Sequence, residues 1–379
     1  MKIALVKRKY SLTSGGSERY CVNLARNLTR RGHAVTVIGQ HIDEDLRDEV
    51  DFQQVRVNRL TSSTRNRSFA ENAGVAARLG NHDIVYGLGR AYGLDAVRVT
   101  ERLQSHWLKV HYERPLRQFW EQRNPRQRTL INLEQDIYQS DQVRRIVTQS
   151  QLDSTLLKRY YDIPSAKIRT IYNGVDTRTF HPHVREHADE VRAEWRLSNE
   201  QPLLLFASMD FEGKGLRSIL QALAQSRFRE SHLLVLGQGP IKRFQRLARG
   251  WGVGRRVLFG GRRTDIQRYY GAADLFVLPT RYEPFPNVNL EAMACGVPAL
   301  TTRTAGGADI IRHGQNGYLI SRIDSVAEMR QCIDDHLSLE PDCRTKLSHA
   351  CWETARQMTI DRNVDQTLSV FREVVDEKL

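Results

Sequence analysis

Between Pro202 and Thr302 the chain returns repeatedly to a short, largely apolar run: PLLLFAS, HLLVLG, VLFGG, DLFVLP and PALTT, each separated from the next by helical or turn-rich sequence. Runs this short and this apolar have the character of parallel strands buried on both faces, and strands spaced by helix-length segments predict a doubly wound sheet. A second series opens the chain. Lys2 to Val6 reads as a buried strand, Ser17 to Arg31 as a helix with Cys21, Leu24, Ala25 and Leu28 on one face, and Ala34 to Ile38 as the next strand. Asp83 to Tyr86 and Arg145 to Thr148 add further short apolar runs. A chain of 379 residues exceeds one ordinary core, so two domains are expected.

IYNGVDTRTFHP, Ile171 to Pro182, carries an Asn-Gly pair and a closing proline and reads as a connector. The expected division is a first domain over 1–172, a hinge over 173–182, a second domain over 183–362 and a C-terminal helix over 363–379. Val364, Leu368, Phe371 and Val375 fall at helical spacing, so that helix must bury a face. Its periodicity does not choose the receiving domain; a return to the first is one option.

Charge narrows the partners. Fifty-seven basic against forty-four acidic residues give +13, which favours nucleic acid, a nucleotide or an acidic membrane surface. The five cysteines are scattered and never form C-x-x-C, which argues against a disulfide framework and a zinc ribbon and fits a reducing cytosol. The amino terminus is too charged for a signal peptide, and no run approaches the ~20 apolar residues of a spanning helix. Any membrane contact is then peripheral.

The chemistry concentrates in TRYEPFPNVNLEAMACGVPALT, where Glu283 and Glu291 stand eight residues apart. A short helix is expected to open after Pro286, capped by Asn287 or a neighbour, and to close at Gly296. The N–H groups and positive dipole end of such a helix suit a phosphate, so a diphosphate can be held without metal. The two carboxylates then reach sugar hydroxyls on either side of it.

Four motifs in order make the chain resemble the retaining glycosyltransferases of family 4, which include bacterial lipopolysaccharide-core glucosyltransferases. They are SGGSE after the first strand, the hinge NGVDTRTF, the EGKG turn, and EPFPNVNLE running into EAMACGVPALTT and GGADIIRHGQNGYLI. The resemblance implies the α/β GT-B fold, two doubly wound Rossmann-like domains facing a cleft. It implies that Gly15 and Gly16 close over the donor diphosphate, where a missing Cβ lets backbone approach phosphate. It also implies that Lys214 neutralises the leaving diphosphate, that Glu291 binds the ribose and that Glu283 lies near the donor hexose. The donor contacts would continue through Asn287, Val288 and Asn289, with the backbone at Gly261, Arg262 and Arg263 meeting the base. Met209 and Gly213 stand where the family commonly has an arginine, and Arg281 is the candidate replacement. On the acceptor side the resemblance points to Glu101, with His106 second.

The expected function is therefore transfer of a hexose, most simply glucose, from a UDP-sugar to a glycolipid such as lipopolysaccharide core. No metal and no cofactor are expected, because no Asp-x-Asp pair accompanies the phosphate site. Another glycan or a small-molecule acceptor is the alternative. A nicotinamide dehydrogenase is disfavoured because TSGGSE lacks G-x-G-x-x-G, and EGKGL and GQGP fail as P-loops. A basic nucleic-acid-binding protein is disfavoured because the arginines follow no recognition motif. The segment Arg98 to Arg128 mixes arginines with Trp107, Tyr112, Phe119 and Trp120, a surface suited to an anionic inner leaflet or, equally, to packing on the first domain. A cytoplasmic enzyme, peripheral on the inner face of the membrane, is the corresponding location.

Overall fold

Seven parallel strands build the first sheet of the computed structural model, which describes residues 1–379. Their spatial order is Asp51–Gln54, Ala34–Gly39, Lys2–Val6, Ile84–Gly87, Ala96–Arg98, Arg145–Thr148 and Ile168–Thr170. The order reverses between Lys2–Val6 and Ile84–Gly87, which pair in parallel with Ile3 opposite Ile84. Loops leaving the carboxyl ends of two such strands part in opposite directions and open a crevice.

The second sheet has six parallel strands in the order Val257–Gly261, His232–Gly237, Leu203–Ser208, Leu275–Leu278, Ala299–Thr302 and Gly317–Ile320. Its reversal lies between Leu203–Ser208 and Leu275–Leu278. Consecutive residues Leu203, Leu204, Leu205 and Phe206 are all fully buried. Burial of neighbours that point to opposite faces is the mark of a sheet covered on both sides.

The chain divides into two compact units, Met1–Asn173 with Ile360–Leu379, and Gly174–Thr359. The connector belongs to the second unit from Gly174 onward, because the Val175 N–H donates to the Met358 carbonyl at 2.9 Å and Val175 bridges Thr359. Asn173 stays with the first, buried between Arg98 and Gln149. The last helix, Ile360–Asp376, begins three residues earlier than the periodicity suggests and packs within the first unit. Val364, Leu368 and Phe371 are buried there, the Phe371 ring edge-on to Tyr86 at 4.8 Å. Glu373 on the same helix accepts from Arg145 at 2.7 Å and from Arg169 at 2.5 Å.

Candidate active site

In the second unit the two strands at the reversal deliver Lys214 and Glu283. Leu203–Ser208 runs into the turn that ends at Gly215, and Leu275–Leu278 into the loop that ends at Pro286. The two loops meet backbone to backbone: the Arg281 N–H donates to the Gly213 carbonyl at 3.2 Å. Gly215 has φ +78, and a Cβ there would lie 2.6 Å from the Pro279 carbonyl oxygen, so only glycine permits this approach. Lys214 Nζ consequently donates to Glu283 Oε2 at 2.5 Å, a largely buried ammonium on a partly exposed carboxylate. A third loop joins them, since the Gly306 N–H donates to the Glu283 carbonyl at 2.9 Å.

The helix after this loop spans Asn287–Ala294 and ends, as expected, before a left-handed Gly296 (φ +72). Its cap differs from expectation. Pro286 holds the N-cap position, where it brings no capping side chain, and Asn287 is already helical. A helical residue sits too far along to accept from the N–H groups a cap would serve. The first turn also carries no acid, so the positive end of the dipole is not neutralised from within the helix. Glu291 lies on the second turn, with the Tyr270 hydroxyl 3.4 Å from its Oε2 and 3.2 Å from the Val288 carbonyl. Val288 and Asn287 are half-buried, whereas Asn289 is wholly buried with neither amide atom bonded.

Arg262 and Arg263 follow the edge strand Val257–Gly261. The Arg263 guanidinium is turned onto Glu194 at 2.8 Å and lies 5.4 Å from the Tyr269 ring. Its side chain is therefore engaged within the second unit.

In the first unit Gly15 is the N-cap of the helix Gly16–Arg30, so the expected start at Ser17 moves by one residue. Its backbone is extended, and a Cβ would meet Glu18 Oε2 at 2.8 Å. Lys7, buried at the end of the first strand, donates to Ser17 Oγ at 2.9 Å beside Glu18. Glu101 is ion-paired with Arg90, whose Nε and Nη2 both donate to the buried Glu134. His106 does not join this group through any of these bonds: its Nδ1 lies 3.2 Å from the Tyr160 hydroxyl. Burial, then Arg159 and Lys109, lower the His106 imidazole to about 4, so it is neutral at pH 7 and packs rather than titrates. Arg90, Glu134 and Lys7 were missed from sequence. Arg90 follows a strand within GLGR, a position that could have marked it; Glu134 sits mid-helix with nothing local to distinguish it.

No group of three or more His, Cys, Asp or Glu side chains is arranged to hold a metal ion. No helix is long and apolar enough to cross a membrane.

Comparison with known proteins bears directly on this geometry. The family model described as Glycosyltransferase Family 4 matches residues 14–179, and that described as Glycosyl transferases group 1 matches 201–338. The lipopolysaccharide glucosyltransferase WaaG of Escherichia coli K12 is 26% identical over 347 residues, covering 90% of this chain and 91% of its own. A crystal structure of WaaG superposes with a TM-score of 0.83 at 23% identity, covering 97% of this chain and 99% of its own. Anabaena HepE, solved in complex with UDP and glucose, superposes at 0.73 and 18% identity over 98% of this chain and 99% of its own. Two parallel doubly wound sheets, matched end to end by these folds and covered in turn by the two family models, make the chain a GT-B glycosyltransferase of the family 4 and group 1 kind.

Proposed function

We propose that the enzyme transfers a hexose, glucose in the first instance, from a UDP-sugar to a hydroxyl of a glycolipid of the lipopolysaccharide-core kind. The reading has retention at the anomeric carbon and needs no divalent metal and no cofactor. The observation that carries it is the Lys214–Glu283 pair, joined at the strand-order reversal and followed by a helix that opens after Pro286 with no acid in its first turn. A diphosphate at that end would meet helix N–H groups and the Lys214 ammonium, which together stabilise the charge on the departing oxygen. Glu291 serves the ribose hydroxyls, Glu283 the hexose and Arg281 a phosphate oxygen. In the front-face step the bond from the anomeric carbon to the phosphate oxygen breaks as the acceptor oxygen bonds to the same face. The acceptor proton passes to the departing phosphate oxygen. The name of WaaG supports the acceptor and sugar, and the UDP and glucose in HepE support the donor.

The test is a panel of nucleotide sugars, read as free nucleotide released, then as mass added to glycolipid and the anomeric configuration of the product. UDP-glucose is the expected donor; a different preferred base or sugar replaces that part of the reading. Activity abolished by chelator and restored by manganese would remove the metal-free mechanism.

A specific observation also favours docking on an anionic leaflet. The helix Pro115–Arg123 buries no residue, and Leu116 (79%), Phe119 (48%) and Trp120 (69%) are exposed among Arg114, Arg117 and Arg123. Apolar rings within a basic surface suit the headgroup boundary, each arginine contributing ~1 kcal/mol. Sedimentation with phosphatidylglycerol vesicles should fall at least tenfold when Phe119 and Trp120 become serine and the three arginines glutamine. Unchanged sedimentation rejects the docking face.

A further inference from the structure

The reversal in the first sheet directs the segment after Ile84–Gly87 and the segment after Lys2–Val6, which includes the short strand Lys9–Tyr10, to either side of one crevice mouth, and Arg90 stands in the first of them. Its guanidinium is held on several sides. Nε and Nη2 donate to Glu134 Oε1 at 3.0 and 2.5 Å, and Nη2 also donates to the Arg102 carbonyl at 3.2 Å. The remaining nitrogen, Nη1, donates to Glu101 Oε2.

Glu134 is the fixed end of this arrangement. Its side chain is 1% exposed, and it accepts from the Gln104 N–H with both oxygens, at 3.1 and 2.9 Å, and from the Tyr161 hydroxyl. A buried carboxylate with this many donors has one available geometry, and losing its charged partner is costly. Glu101 is the opposite kind of acid, 47% exposed along its side chain. The framework therefore terminates in a half-exposed carboxylate.

We propose that Arg90 is a positioning residue for the transfer reaction: anchored by Glu134, it fixes the Glu101 carboxylate as the acceptor-orienting group at the crevice of the first sheet. This rests on the glycosyltransferase reading above and on Glu101 serving the acceptor. Glu101 then receives hydrogen bonds from acceptor hydroxyls and does not act as a proton donor. The charges around it agree with that role. Burial draws its carboxyl upward, but Arg90, then Lys7 and Arg8, outweigh burial and hold it below the ordinary glutamate range. Glu134, beyond Arg90, is itself drawn upward by burial against the same guanidinium. An isolated exposed pair would be worth little; a guanidinium locked by three other bonds presents Nη1 without further loss of side-chain freedom.

The experiment is a double-mutant cycle on the full chain, Arg90→Lys, Glu101→Gln and both together. The acceptor probe is glycolipid extracted from cells lacking this enzyme and the donor probe is UDP-glucose. Lysine keeps a counter-charge for Glu134 but has no fork to span two carboxylates. Each single change should lower kcat/KM for the acceptor at least tenfold, chiefly through KM, and the double variant should be no worse than Glu101→Gln alone. Wild-type kcat/KM should keep its acid limb below the ordinary glutamate range. Wild-type kinetics in Arg90→Lys, losses that multiply in the double variant, or an acid limb at the ordinary glutamate value would each overturn the proposal. The limb is assigned by its loss in Glu101→Gln, so that comparison decides even if Arg90→Lys does not fold. Absence of transfer by the wild type to this extract would instead count against the glycolipid reading.

Discussion

At the scale of single residues the second unit depends on Lys214. Its ammonium is already paired with Glu283 at 2.5 Å, so in the proposed reaction it exchanges part of that partnership for the diphosphate. Lys214→Ala removes the counter-charge and leaves a partly buried carboxylate beside the incoming anion. We expect kcat to fall about 10²–10³-fold, the range for losing one transition-state donor, with UDP-glucose turnover as the measurement and circular dichroism checking the fold. Gly215→Ala acts through the backbone instead. At φ +78, with the Pro279 carbonyl 2.6 Å from a new Cβ, it should cost more than ~1 kcal/mol and lower activity by separating the loops that bring Lys214 to Glu283. Urea denaturation and turnover measured on the same preparation test both effects.

At the scale of elements the last helix shows how distant sequence completes a core. Phe371, fully buried against Tyr86, should cost ~3–5 kcal/mol when replaced by alanine, read in the unfolding of the first unit. Glu373 adds a pH-dependent contact: hydrogen bonding from Arg145, less the opposing effect of burial and assisted by Arg169, holds its carboxyl below the ordinary glutamate value. Because the folded value is the lower one, this stabilisation is complete above the ordinary glutamate value and is lost as pH falls through the folded value. With a third of the side chain exposed, Glu373→Gln should cost only ~1 kcal/mol or less at pH 7. Its difference from wild type should shrink in acid, measured by denaturation at a series of pH values.

At the scale of the whole molecule, two units with separate cores are joined by the chain at 173–174 and 359–360. Calorimetry should resolve more than one transition. If the second unit binds UDP, the nucleotide at a hundredfold excess over its Kd should stabilise that unit by about 2.7 kcal/mol. A shift confined to the transition that Phe371→Ala lowers would assign the nucleotide to the wrong unit. The net charge of +13 belongs to this scale too: vesicle binding through Pro115–Arg123 should weaken as salt rises, since screening acts on exposed charges first.

Local order alone was enough for the strands from Leu203–Ser208 to Ala299–Thr302, because each buried parallel strand is a short apolar run bounded by turns. The same holds for the helix Asn287–Ala294 between Pro286 and Gly296. Ala96–Arg98, Ile168–Thr170 and the pairing of Lys9–Tyr10 with His41–Ile42 lay beyond such reading; two or three residues carry no periodicity, and only their neighbours make them strands. Lys214 and Glu283 were both named from sequence, yet their contact spans 69 positions and exists because the sheet reverses its order between the strands that carry them. Arg90, Glu101 and Glu134 went further the same way: hydrogen bonds to a buried acid joined two charges the sequence did not mark, Arg90 and Glu134, to Glu101, which it did. A pattern of neighbours along the chain can specify an element, but a site is made where elements from different parts of the chain end side by side, and that is decided by strand order and burial.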